Sequence, residues 1–262
     1  MKNGEFPKII HQIWMQGEKY IPEKFNNYIK SIKKFNPDWE YNLWDEISIL
    51  NLLSKNKQHI DTYYKFSYLH QKIDYARYVI LYHFGGVSID IDTECLKSLN
   101  GLIEKYKDYS LIVSEANSKF LEKIIICYNV CLNNATIFAK INNLVLFELI
   151  KHIDKNNQCP FYKTQSLCII NTTGPKVFSY IINKYKDKVK IKILDKEYLE
   201  PCRMDKCDIT KQSYLAHRHE QSWNSFLSSV YKLFRDYYIA ISIIIFIILI
   251  IIIISYIIIK NK

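Results

Sequence analysis

The stretch Val87-Ser88-Ile89-Asp90-Ile91-Asp92 ends an apolar run on two aspartates spaced two apart. In an extended strand that spacing puts both carboxylates on one face. Two close carboxylates raise each other's pKa unless positive charge sits between them, and a divalent cation is the natural partner. Oxygen ligands suit a hard ion such as Mg2+ or Mn2+. Thr93 and Glu94 add oxygens beside the pair. A bare D-x-D also occurs at solvated strand ends, so its meaning depends on its surroundings.

Asp74 and Arg77 stand three apart in a helical pattern and share a face next to the apolar one. Such a pair binds sugar hydroxyls and a phosphate oxygen, or forms a local ion pair worth little. Trp14, closing the first apolar run, is placed to stack on a flat base or sugar, or to fill the core. Near the other end, His217-Arg218-His219-Glu220-Gln221-Ser222-Trp223 offers imidazole, hydroxyl and indole groups. His217 and Ser222 are suited to completing a shell around a metal and a diphosphate. The competing reading is a polar collar beside a membrane.

These groups need a scaffold. Lys8–Trp14 reads as a first strand. Phe25, Tyr28, Ile29, Ile32 and Phe35 recur at helical spacing until Asn36-Pro37 stops them. Trp39–Trp44 alternates like a strand. Leu69, Ile73, Ala76, Ile80 and Leu81 form one face of a helix ended by Gly85-Gly86, a turn that folds it back onto the Val87–Asp92 strand. Another strand is predicted over Val189–Leu194. Strands alternating with helices predict an α/β sandwich with a mostly parallel sheet and ligands at the carboxyl ends of its strands.

The 262 residues are 49% hydrophobic, enough for one well-buried core. That excludes a disulfide miniprotein, a collagen-like chain and a disordered one. A net charge of +10 favours anionic partners such as nucleotides, phosphates and acidic lipid. No RNP-type motif, helix-turn-helix cue or zinc-finger spacing accompanies it, so nucleic acid is not an expected partner. Seven cysteines without a C-x-x-C provide no zinc framework and read mostly as buried thiols. A Cys202–Cys207 bridge stays open, since it depends on the redox compartment.

From Ile239 to Ile259 no charge occurs and most residues are Ile. A helix there, rising about 1.5 Å per residue, matches a hydrocarbon core about 30 Å thick. Tyr237, Tyr238 and Tyr256 lie near its two ends, as interfacial aromatics do. No apolar leader is seen near Met1. The expected organisation is a catalytic domain over 1–226, a juxtamembrane segment over 227–238, a single transmembrane helix over 239–259 and a short tail over 260–262. A domain held by such a C-terminal anchor faces the cytosol by default. Sequons at Asn134-Ala135-Thr136 and Asn171-Thr172-Thr173 keep a lumenal (Golgi or ER) placement open.

Together these stretches resemble the DXD-containing sugar transferases of glycosyltransferase family thirty-two. That family includes the initiating α-1,6-mannosyltransferase and the catalytic subunit of mannosyl inositol phosphorylceramide synthase. The matching segments are FPKIIHQIW at Phe6–Trp14, NPDWEYNLWDE at Asn36–Glu46, DYARYVILYHFGGVSIDID at Asp74–Asp92, TGPKVF at Thr173–Phe178 and HRHEQSW at His217–Trp223. The resemblance implies a GT-A fold, a Rossmann-like mixed sheet flanked by helices. It also implies a nucleotide-sugar donor (UDP- or GDP-linked), Mn2+ or Mg2+ as cofactor, and transfer with retention to a glycan or glycolipid acceptor.

Carried over residue by residue, Asp74 and Arg77 resemble the donor-sugar contacts. Asp90 resembles the aspartate touching ribose and sugar, and Asp92 the direct metal ligand. Trp14 resembles the base-stacking residue. His217, Ser222 and Trp223 resemble the closing motif around metal and diphosphate, and Asn133 or Asn134 resembles an asparagine near the donor. Ser88 stands where the family usually has Tyr, and Arg218 where many members have a second His. Family members usually carry their anchor at the N-terminus instead.

Two other readings compete. Ile89-Asp90-Ile91-Asp92-Thr93 fits the D-x-D-x-T strand of haloacid-dehalogenase-type phosphatases, with Ile169–Thr173 imitating their second motif. No D-D or G-D-x-x-x-D follows to complete that Mg2+ site. The other reading is a non-catalytic, membrane-anchored sugar-nucleotide binder that has kept the fold.

Overall fold

The computed structural model describes residues 4–118, 131–160, 163–203, 206–220 and 242–253. Strand β1 (Ile9–Ile13) pairs in parallel with β2 (Glu40–Trp44) and with β3 (Gly86–Ile89). On its other side β3 pairs antiparallel with β6 (Leu132–Ala139), and β6 antiparallel with β5 (Leu111–Glu115). Strand β7 (Ile191–Leu194) completes the sheet in parallel with β5. The order β2-β1-β3-β6-β5-β7 is therefore mixed, with β6 reversed against both neighbours. The sheet is mostly parallel as expected, β6 being its one reversed strand. Antiparallel pairing beside β3 lets β6 run back past the end of β3 and bring its asparagines to the cleft. A second ribbon pairs β4 (Thr93–Cys95) with β10 (Leu215–His217) in antiparallel register, and a short hairpin pairs β8 (Cys202–Arg203) with β9 (Lys206–Cys207).

The helices are α1 (Glu23–Phe35), α2 (Glu46–Leu53), α3 (Lys57–Lys65), α4 (Leu69–Phe84), α5 (Asn100–Lys105), α6 (Leu144–Lys155), α7 (Gln165–Thr172) and α8 (Pro175–Tyr185). Side-chain oxygens start several of them: Asp45 accepts from the Ser48 amide, Asn143 from Val145 and Leu146, and Thr164 from Leu167.

Strand alternation divides the interior into two cores. Leu111, Val113, Ile137 and Ala139 face one side, with Tyr78, Val79, Leu146 and Phe178 from α4, α6 and α8. Ile112 and Phe138 face the other, with Ile32 of α1, Leu102 of α5 and Leu199. Each such fully buried side chain contributes about 1.5–3 kcal/mol relative to exposure.

Helix α4 lies deep in the protein. Asp74 through Leu81 are all buried, while Leu69 is 41% exposed. The expected one-sided apolar face is thus a helix covered nearly all round. Its end is set by glycine geometry. Gly85 has φ 63° and Gly86 φ 87°, and a Cβ on Gly86 would come within 2.4 Å of the Ile9 carbonyl oxygen. His11 secures the turn: its Nε2–H donates to the Gly85 carbonyl at 2.9 Å, and its Nδ1 accepts from the Trp44 indole at 3.1 Å.

Among the described residues no helix is long and apolar enough to cross a membrane. Residues 242–253 are helical with exposed side chains; 239–241 and 254–259 of the expected span lie outside the described residues, as does the juxtamembrane segment 227–238. The described cysteines are less often free than expected: Cys159 pairs with Cys168 and Cys202 with Cys207, Cys131 is also disulfide-bonded, and Cys95 is a buried free thiol.

Candidate active site

The chain leaves β3 at Ile89 and turns at once. The Thr93 amide donates to the Asp90 carbonyl at 3.1 Å, and the Asp90 amide donates to the Ala135 carbonyl of β6 at 3.0 Å. Asp90 and Asp92 therefore sit on the turn between β3 and β4, and Ile91 between them is buried. The expected strand alternation is replaced by a turn, which still aims both carboxylates into one cleft.

The β4–β10 pairing delivers the third group. Thr93 stands opposite His217, so the imidazole falls beside the aspartates. Its Nε2 lies 3.2 Å from Asp92 Oδ1 and 3.9 Å from Asp90 Oδ2. The backbone tightens the join: the Arg218 amide donates to the Asp92 carbonyl and the Glu220 amide to Asp92 Oδ2, each at 2.9 Å. One ligand atom from each of Asp90, Asp92 and His217 lies within 4.8 Å of the others. Two carboxylate oxygens and one imidazole nitrogen fit a hard or borderline divalent cation.

Arg77 and Asp74 approach the same floor from α4. Arg77 donates to Asp90 Oδ1 and to the Asn134 carbonyl, while its distance to Asp74 Oδ1 is 4.0 Å. The expected Asp74–Arg77 pair is thus secondary, because Arg77 bonds the nearer Asp90 carboxylate. Asp74 instead accepts from the Asn134 amide at 2.9 Å and from the Thr173 hydroxyl at 3.2 Å. Of the two candidate asparagines, Asn134 faces Asp74, whereas Asn133 donates to Glu200.

Burial and charge set the protonation. Burial pushes the Asp74 pKa up to about 6, partly offset by Arg77. Asp90 is also raised by burial, against the pull of Arg77 and His217. Burial acts on Asp92 too, but the His217 hydrogen bond and charge and the Glu220 amide overcome it and hold Asp92 at about 2. For His217, burial opposes a charge, yet the Glu200 and Asp92 carboxylates on its two sides prevail and raise its pKa well above the ordinary value.

These groups line a cleft of about 330 Å³. Trp14 borders it, half-buried, edge-on to Phe25 at 5.7 Å, with its indole N–H donating to the Tyr20 carbonyl. Ile73, Ile169 and Ile170 supply an apolar wall. Trp14, Asp74, Arg77, Asp90, Asp92, Asn134 and His217 thus converge from separate elements. Ser222 and Trp223 lie outside the described residues. Glu200 and His70 also line the cleft and carry no local signal in the sequence, since neither belongs to a spaced pair or motif. Arg218, the departure from the family pattern, turns away to Glu94.

A mixed sheet between helices, with a D-x-D turn and a histidine at the carboxyl end of its central strand, defines a GT-A-type glycosyltransferase. The family model described as the glycosyltransferase sugar-binding region containing a DXD motif matches residues 22–109, which include Asp74, Arg77, Asp90 and Asp92. An uncharacterized glycosyltransferase of Acanthamoeba polyphaga mimivirus is 32% identical over 229 residues, covering 83% of each chain. Inositol phosphoceramide mannosyltransferase 1 of Schizosaccharomyces pombe is 29% identical over 185 residues, 69% of this chain and 52% of that relative, so the chain spans about half its length. In structure, mouse xyloside xylosyltransferase 1 superposes with a TM-score of 0.53 at 9% identity, over 81% of this chain and 97% of that one, a likeness of fold. The chain belongs to the DXD-containing glycosyltransferase family, and it is a glycosyltransferase.

Proposed function

We propose that the chain is a metal-dependent, retaining hexosyltransferase that takes mannose, or a hexose of glucose or galactose type, from a UDP- or GDP-sugar. The acceptor is a glycan or glycolipid, and the apolar segment 239–259 holds the domain, 1–226, at a membrane. The observation that carries this reading is the convergence of Asp90, Asp92 and His217 within 4.8 Å on the floor of the cleft that Trp14 borders. The name of the fission-yeast mannosyltransferase favours mannose and a membrane glycolipid. A basic chain favours an anionic donor, and an anchored site favours a lipid acceptor.

Asp90, Asp92 and His217 would hold a divalent ion, Mn2+ or Mg2+, which when bound offsets the charge growing on the departing diphosphate. Trp14 offers the cleft-facing part of its half-buried ring to the base. Asp74, steadied by Asn134 and Thr173, accepts from sugar hydroxyls. Arg77 anchors Asp90 and adds positive charge behind the cluster. Ser222 and Trp223 are assigned to the diphosphate in this reading, by the resemblance of HRHEQSW. A soluble domain facing the cytosol remains the proposed placement.

The phosphatase reading loses its second motif, because Ile169–Thr172 is helical in α7 and Thr173 bonds Asp74 instead of lying at a strand end. A donor screen tests the proposal. UDP-hexoses and GDP-mannose are supplied with and without Mn2+, and nucleotide release is read for the wild type and Asp92→Ala. Mn2+-dependent release from one donor, lost in the variant, is expected. Equal, metal-independent traces would indicate a binder, and phosphate release from a generic ester would indicate a phosphatase.

A further inference from the structure

Glu200 is the most deeply buried acid near the cleft, 2% exposed, and no motif announces it. It follows the short helix Lys196–Leu199 and precedes the Cys202–Cys207 hairpin. Both of its carboxylate oxygens lie 3.3 Å from His217 Nδ1. Its Oε1 is 2.7 Å from His219 Nε2, and its Oε2 accepts from the Asn133 side chain. The opposite ring nitrogen of His217 faces Asp92 and Asp90. A carboxylate is an acceptor on both oxygens, so without an ion His217 donates from both ring nitrogens, Nδ1–H to Glu200 and Nε2–H to Asp92; a cation between the aspartates would take the place of the Nε2 proton and leave Nδ1–H on Glu200. A buried carboxylate that fixes the ring and tautomer of a liganding histidine raises its basicity and tightens metal binding.

Glu200, His217 and His219 also bring three ligand atoms together, within 4.8 Å of one another. Hydrogen bonding accounts for that geometry better than a second ion. His219 Nε2 is at bonding distance from Glu200, and His217 Nδ1 can serve an ion there only by abandoning the Glu200 contact.

We propose that Glu200 is the positioning residue of the metal site: it holds His217 by Nδ1, links it to Asn133 on β6, and so sets the Nε2 nitrogen against Asp90 and Asp92. This rests on the metal reading above. In this role Glu200 acts through His217.

Mn2+ binding to the full chain without donor, read by electron paramagnetic resonance with added MnCl2, is the test. Glu200→Ala is expected to weaken Mn2+ binding about 10–100-fold, to raise the half-saturating Mn2+ for turnover by a similar factor, and to recover most of kcat at saturating Mn2+. A Glu200→Ala protein that melts normally and binds Mn2+ as the wild type does overturns the proposal. If that variant does not fold, nitrogen-15 spectra of the wild type with MgCl2, with His217 assigned by loss of its signal in His217→Gln, decide instead. A proton on Nδ1 supports the proposal, and a proton on Nε2 overturns it. Wild-type protein that binds neither ion overturns the metal reading itself, and this one with it. Wild-type binding lost in Asp92→Ala but intact in Glu200→Ala leaves that reading standing and removes only this one.

Discussion

Arg77 on α4 donates to Asp90 Oδ1 across the Gly85-Gly86 turn, so the helix that precedes the D-x-D motif holds its first aspartate from behind. That leaves Asp90 Oδ2 for the cleft, 3.9 Å from His217. The same guanidinium caps the Asn134 carbonyl. One buried cation therefore joins α4, the motif and β6.

Arg77→Ala removes the partner of a carboxylate whose side chain is 30% exposed. Breaking a buried pair costs roughly 3–5 kcal/mol, and partial exposure of Asp90 places this one near the lower end. Arg77→Lys is expected to behave similarly, because one ammonium cannot span Asp90 and the Asn134 carbonyl as the guanidinium does. Chemical denaturation measures the loss, and a variant within about 0.5 kcal/mol of wild type would contradict the pairing.

Asp92→Asn keeps the size of the side chain but removes its charge. Turnover at any Mn2+ concentration is expected to fall at least about 100-fold, with a cooperative melt retained at a lower temperature because His217 loses the charge of its partner. Initial rates across an Mn2+ titration check this. Near-normal rates would show that Asp92 does not serve the metal.

His11 makes stability pH-dependent. Burial lowers its pKa to about 4 from an ordinary 6.5, and the Trp44 N–H occupies the nitrogen that would take the extra proton. Because the folded value lies below the unfolded one, the contribution is present in full above pH 6.5 and is lost as pH falls toward 4. The size is on the order of 3 kcal/mol. His11→Gln is expected to flatten that part of the stability–pH curve, which urea melts between pH 4 and 7 would record.

Gly86→Ala forces a Cβ into the Ile9 carbonyl at a φ of 87°. A loss of at least about 2 kcal/mol is expected, from strain alone. Thermal melts measure it. A neutral substitution would mean that the turn can relax without moving β3.

Deleting 239–262 is expected to leave the melting temperature of the remaining domain unchanged, since the described part of that segment, 242–253, is exposed. A broad, non-cooperative melt in the truncated protein would instead make the segment part of the core.

Much of the scaffold follows from short-range pattern. The alternation at Trp39–Trp44, the helical spacing of Phe25 to Phe35 and the Gly85-Gly86 stop all lie where those signals place them, to within a residue or two at most. These are consequences of dihedral preference and of burying one face, both readable from neighbours in the chain. Asp90 and Asp92 were legible as a pair for the same reason, though a turn and not strand pleating aligns them.

The partners of those residues carry no such local mark. Arg77 stands three residues from Asp74, yet it chooses Asp90, thirteen away, because folding brings the second carboxylate nearer. Glu200 meets Asn133 across 67 positions and His217 across 17. The reversed β6 and the β4–β10 pairing make both meetings. Spacing along a chain encodes which face a side chain occupies. Which buried charge it answers depends on distances that exist only once strands from remote segments lie side by side.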